Sequence, residues 1–224
     1  MEDTIENQNY KNKSLKWLNS VIPFVVLFLS WEILARTILA THDLPTFFTI
    51  FQTLSLTLAY HLMITLVFSF LELLIILAIG LPLGKLMYKS QRLKSSIYPA
   101  LWFLVFTIGA AIMVNVPILI ILFGLSRLLI FLQSIIVPIL VVTLISGNGH
   151  RLVAIKIGYL LCLFFQIMGE MLFGTTNAGI GHMLSWFYHL HDFPRLYSAL
   201  MLLGLGGMFV EIFIGYIGNK LKIQ

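Results

Sequence analysis

Apolar residues in this chain gather in long blocks, and short polar stretches punctuate them. Six blocks stand out: about Trp17 to Leu39, His61 to Met87, Tyr98 to Phe123, Leu128 to Ile145, Leu152 to Phe173 and Leu196 to Ile217. A helix rises about 1.5 Å per residue, so about 20 apolar residues cross the roughly 30 Å of bilayer hydrocarbon. Each block reaches that length, and the pattern predicts an all-α integral membrane protein of six spans. Residues 46–60, apolar but rich in Thr and Ser, read as an interfacial segment leading into the second span.

The punctuation is informative. Residues 1–16 form a polar tail ahead of a helical region covering 17–220, and the Thr41–Pro45 stretch breaks the chain after span 1. Glu32 and Arg36 near that break are spaced i, i+4 and can face each other on one helix side. Span 2 leaves through Gly80-Leu-Pro-Leu-Gly84-Lys85, where proline removes a backbone donor and glycines four apart let another helix approach. A basic loop with Lys85, Lys89, Arg92 and Lys94 follows. Span 3 is interrupted near Gly109 and Pro117, and Gly124-Leu-Ser-Arg127 makes a tight connection to span 4. The link between spans 4 and 5, 146–151, is short and glycine-rich. A longer polar segment over 174–194 precedes span 6. The first apolar run lacks a small-residue cleavage pattern and reads as a retained span rather than a signal peptide.

Composition agrees with this picture. The chain is 59% hydrophobic and 10% charged, against about 25% charged residues in a soluble domain. Its net charge of +5 therefore says nothing of nucleic acid, and its meaning lies in placement. If the N-terminus is inside, the inner segments hold Lys11, Lys13, Lys16, Lys85, Lys89, Arg92, Lys94, Arg151, Lys156, Lys220 and Lys222, and the outer ones only Arg36, Arg127 and Arg195. Cytoplasmic loops carry the excess of Lys and Arg. The split supports six spans with both termini cytoplasmic, because one span more or fewer would reverse the later segments.

Chemistry-bearing residues are few. Glu32, Glu72, Glu170 and Glu211 lie within or at the edge of spans, where a bare charge costs at least about 2.5–3.5 kcal/mol. Glu32 is expected to pair with Arg36, and Glu211 to reach the interface or a neighbouring helix. Glu72, in the middle of span 2, and Glu170, near the outer end of span 5, are candidates for a translocation path. His182, His189, His191 and Asp192 are metal-ligand residue types at a spacing that fits no zinc motif, so no metal or other cofactor is expected and the histidines read as outer surface residues. No phosphate-binding G-x-x-x-x-G-K-[ST] loop and no hydrolase or metalloprotease signature occurs, which argues against an enzyme. Cys162, the single cysteine, reads as a packing residue.

Several stretches, in order, resemble the permease subunits of ATP-binding-cassette (ABC) importers of the nitrate/sulfonate/taurine type. They are Ser30-Trp-Glu-Ile-Leu-Ala-Arg36, then Gly80-Leu-Pro-Leu-Gly-Lys-Leu-Met87 with Ser90, Leu93 and Pro99, and then Leu122-Phe-Gly-Leu-Ser126 and Val137-Pro-Ile-Leu140. Gly169-Glu-Met171, Gly179-Ile-Gly181 and the stretch from Tyr197-Ser-Ala to Glu211 complete the set. The resemblance implies a six-helix permease of a prokaryotic cell membrane, dimerised with a second permease subunit. It further implies two cytoplasmic ATPases that hydrolyse the ATP and an external solute-binding protein. Small anions such as sulfonates, nitrate and bicarbonate, or pyrimidine precursors, are the solutes it implies, moved by alternating access.

One departure qualifies this. Such permeases carry between spans 4 and 5 a cytoplasmic helix, with an E-A-A-x-x-x-G motif, that docks in the ATPase. A docking helix of two to three turns needs about 8–11 residues, and the 146–151 link cannot hold one. Three readings follow: a permease paired with a complete partner that supplies the coupling helix, a degenerate relative serving as membrane scaffold or regulator, or a permease in which another cytoplasmic element meets the ATPase. For the last, the basic segment Lys85, Lys89, Arg92 and Lys94, with His150 and Arg151, is the candidate contact. A secondary carrier or a membrane enzyme using the outer histidines are alternatives from other classes.

Overall fold

A computed structural model describes residues 22–37, 44–110, 118, 120–122, 124–173 and 178–220. Among the described residues the helices are α1 (22–37), α2 (Phe47–Gln52), α3 (Leu56–Lys89), α4 (Gln91–Ala110), α5 (Arg127–Ser146), α6 (Arg151–Phe173), α7 (Ile180–His189) and α8 (Phe193–Lys220); residues 118 and 120–122 are helical as well, and no described residue is in a strand. Four of them, α3, α5, α6 and α8, are long and apolar enough to cross a membrane. These are the predicted spans 2, 4, 5 and 6, and the chain is a helical multi-pass membrane protein. The predicted spans 1 and 3 fall partly outside the described residues, at 17–21, 38–39, 111–117, 119 and 123; α1 lies within the first, and α4 overlaps the third but starts seven residues before it.

The chain divides into two compact units. The smaller takes in α1, α2 and the first residues of α8. Within it the Glu32 carboxylate accepts from Arg36 Nε at 2.7 Å and from the Phe47 amide at 3.0 Å, at the start of α2. The expected Glu32–Arg36 pair thus forms, and it also caps a helix that the sequence pattern did not separate. Trp31 donates Nε1–H to the Pro45 carbonyl at 3.1 Å and packs edge-on to Tyr197.

The larger unit is built on α3, α5 and α6, which pack on one another, with α4 against α3 and α5, and α7 against α3 and α6. Side-chain pairs set the directions. Gly80 and Gly84 of α3 face Val142 and Ser146 of α5, so these helices run parallel. Thr65 meets Glu170, and Leu73 lies against Gly158, so α3 and α6 are antiparallel. The glycine pair at the exit of span 2 thus acts as its spacing implied: a Cβ on Gly84 would collide with Ser146 Oγ. Lys156 of α6 and Glu211 of α8 form an ion pair, with Leu152 beside Gly218, which aligns α8 antiparallel to α6. Glu211 therefore reaches a neighbouring helix.

Three sequence expectations need correction. The basic segment after span 2 is not a loop: Lys85 and Lys89 complete α3, Arg92 and Lys94 open α4, and Ser90 alone separates the helices. Ser90 accepts from the Leu93 amide at 3.3 Å, so the second helix starts at once. The polar segment before span 6 contains α7, whose Ile180, Leu184 and Phe187 recur at helical spacing and are buried. Its polar residues hid that apolar face. Finally, α3 begins at Leu56, five residues before the predicted start, because Ser55 accepts from the Leu58 amide and caps it.

Candidate functional site

On α3 the polar residues of an otherwise apolar helix fall at i, i+4, i+8 and i+11: His61, Thr65, Ser69 and Glu72. That spacing is one helix face, and all four are buried. Opposite, α6 presents Tyr159, Cys162, Gln166 and Glu170, and α5 adds Gln133 and Ser134, all buried as well. The antiparallel register brings Thr65 to the level of Glu170 and Glu72 to the level of Cys162. A polar column therefore runs through the middle of the larger unit.

Its upper part is bonded around Glu170 and Thr65, although Gln166 Oε1 has no partner there. Glu170, 2% exposed, accepts from Thr65 Oγ at 2.8 Å, Gln166 Nε2 at 2.9 Å and the Gly181 amide at 2.9 Å. Thr65 Oγ in turn accepts from the Ile180 amide at 2.8 Å, and His61 Nδ1 from the Gly179 amide at 3.1 Å. These three buried amides belong to the N–H groups at the start of a helix that have no intrahelical partner, need acceptors and carry its positive dipole end. Three side chains from two spanning helices thus cap α7. The glycines are required here. Gly179 has φ +120°, and a Cβ on it would overlap the Glu170 carboxyl; one on Gly181 would meet the Ile167 carbonyl and Glu170 Cβ. A Cβ on Gly169 would press on Ile130, so α6 packs closely on α5 one residue before Glu170.

The lower part is not bonded. Among the described residues both Glu72 oxygens lack a hydrogen-bond partner, as do Ser69 Oγ, both amide atoms of Gln133 and the Tyr159 hydroxyl. Ser134 lies beside Glu72, but its hydroxyl donates to the Ile130 and Phe131 carbonyls at 3.0 Å. Glu72 is fully buried and sits at the midpoint of α3.

Of the residues singled out in the sequence, Glu72 and Glu170 share this column. Lys85, Lys89, Arg92, Lys94, His150 and Arg151 lie apart from it, near the end of α3 and the α5–α6 turn. There Tyr88 packs against Gly149, which has φ +94°. His182 and His189 lie on α7 and His191 and Asp192 just after it, and no group of three or more His, Cys, Asp or Glu among the described residues is arranged to hold a metal. Cys162 is buried and free, as a packing residue would be. His61, Thr65, Ser69, Gln133, Ser134 and Gln166 were missed, although the one-face spacing on α3 and the Gln166–Glu170 i, i+4 pair were there to be read. An open surface groove of about 410 Å³ is lined by Tyr60, Met63, Val67, Phe68 and Arg127, whose guanidinium lies 4.9 Å from the Phe68 ring centroid.

Fold and site define a multi-pass helical membrane protein with two carboxyls buried in its core. Compared with known protein families, curated proteins and solved structures, the chain matches none.

Proposed function

We propose that this chain is the membrane-spanning permease subunit of an ABC-type importer for a small solute, working beside a second permease subunit. On this reading it has six spans, both termini cytoplasmic, in a prokaryotic cell membrane. Partner ATPases hydrolyse the ATP, and an external binding protein delivers the solute. The observation that carries it is the meeting of the separate stretches on which the permease resemblance rests. Gly169-Glu170 and Gly179-Ile-Gly181 form a single clamp, with Glu170 capping the helix that Gly179 starts. Gly80 and Gly84 take α5 against α3. Residues scattered in sequence that each need their own type for one packing arrangement support a common design.

Between α5 and α6 only residues 147–150 are non-helical, so the partner permease supplies the coupling helix. Lys85, Lys89, Arg92 and Lys94, with His150 and Arg151 near the α5–α6 turn, form a basic surface for cytoplasmic contact. That same four-residue turn favours a second reading, a permease homologue acting as scaffold or regulator. Purification from native membranes in mild detergent tests both. An ATPase and a second permease should co-purify, and reconstituted solute uptake should require this chain. Absence of any ATPase from the complex would end the importer reading, while ATPase-driven uptake unchanged without this chain would leave it a scaffold.

A further inference from the structure

The lower half of the polar column holds an acid that no cation among the described residues neutralises. Glu72 is fully buried with both oxygens unpartnered. The cations of the helices packed around it lie elsewhere. Lys85 is 13 residues along α3, about 20 Å at 1.5 Å per residue. On α5, Arg127 is seven residues before Ser134, about 10 Å away along the axis, and it bonds the Ala178 carbonyl. On α6, Lys156 is paired with Glu211. Arg92 and Lys94 are at the start of α4. The titratable groups that do face Glu72 are Cys162 and, further along, Glu170, with Tyr159 beyond Cys162; none supplies positive charge. From α7, His182 adjoins His61 rather than Glu72. A bare carboxylate in such surroundings is strongly disfavoured.

The same core keeps unused hydrogen-bonding capacity within a helical turn of Glu72 or of its neighbours. Ser69 is one turn away on the same face, Gln133 adjoins Ser134, and Gln166 and Tyr159 flank Cys162 on α6, each with a polar atom unpaired. Unpaired polar atoms in a dry interior are costly and rare, so several around one acid mark a place built for changing occupancy. The hydroxyl and amide donors among them are those an ionised carboxylate needs when its proton leaves. Glu170 differs, since three donors already occupy its oxygens.

We propose that Glu72, with Ser69 one turn away and Ser134 beside it, is a reversible proton-binding site at mid-membrane. The carboxyl takes up one proton to become the neutral acid and returns it as H⁺, with no other bond made or broken. This assignment is independent of the importer reading, which concerns partner subunits.

Dicyclohexylcarbodiimide, an apolar reagent that adds to protonated carboxyls from within the bilayer, tests it on the purified full chain in liposomes. Peptide mapping by mass spectrometry should find one added reagent molecule on Glu72, decreasing as pH rises, with little on Glu170. Glu72→Gln should lose that label, and Ser69→Ala should shift the pH at which it declines. Infrared titration of the unmodified chain gives a readout that needs no variant: a protonated-carboxyl band that disappears reversibly with rising pH. An unlabelled Glu72 at low pH, in a sample where Glu170 reacts, would overturn the proposal. So would labelling that ignores pH but is blocked by Na⁺, which would assign the site to a metal cation.

Discussion

The Thr65 hydroxyl bridges two helices at once: it donates to Glu170 at 2.8 Å and accepts from the Ile180 amide at 2.8 Å. One oxygen on α3 therefore ties α6 to the first turn of α7. Replacing it with the isosteric valine leaves a buried amide without its acceptor and a carboxyl short of a donor. Thr65→Val should destabilise the fold by about 1–3 kcal/mol, whereas Thr65→Ser should retain most of the stability. Thermal unfolding in detergent checks the pair; equal loss in both would show that the methyl group, not the hydroxyl, matters.

Gly84 packs so closely on α5 that any side chain must displace Ser146. Gly84→Leu should separate the helices and cost about 1–3 kcal/mol or more. Gly204, with nothing near the place its Cβ would occupy, is the control, and Gly204→Ala should leave the melting temperature unchanged or slightly raised.

Gly179 combines a positive φ with a Cβ position filled by the Glu170 carboxyl. Gly179→Ala should cost about 1–3 kcal/mol from backbone strain and loosen α7 selectively. Hydrogen exchange would show it as faster exchange at the Ile180 and Gly181 amides, while the α3 and α5 interiors remain protected.

Lys156 and Glu211 connect α6 to α8, with side chains 34% and 50% exposed. Their coupling in a double-mutant cycle should be about 0.6–1.7 kcal/mol, the range of polar contacts between membrane helices. Lys156→Glu alone should reduce yield of folded protein, and the charge swap Lys156→Glu with Glu211→Lys should restore it. A swap that fails to rescue would mean each charge is held by water or lipid.

The helical class and four of the spans were legible because a helix crossing hydrocarbon must satisfy its own backbone, and only a long apolar run does so. The Gly80–Gly84 contact was legible too, since two absent side chains four residues apart leave a groove whatever the partner. The buried acids could be named from sequence, because charge within apolar runs is conspicuous. Their unlike surroundings could not. Glu72 and Glu170 sit in similar apolar contexts along the chain, and the donors that reach Glu170 come from residues 65, 166 and 181. Likewise α7 looks like a polar loop until its one apolar face is set against α3 and α6, and Lys85 to Lys94 look like a loop until Ser90 is seen to separate two helices. Local composition and period, set by the solvent around each segment, determined which parts of the chain cross the membrane. Which polar group is satisfied and which is left bare depends on helices brought side by side, and only the tertiary packing decided that.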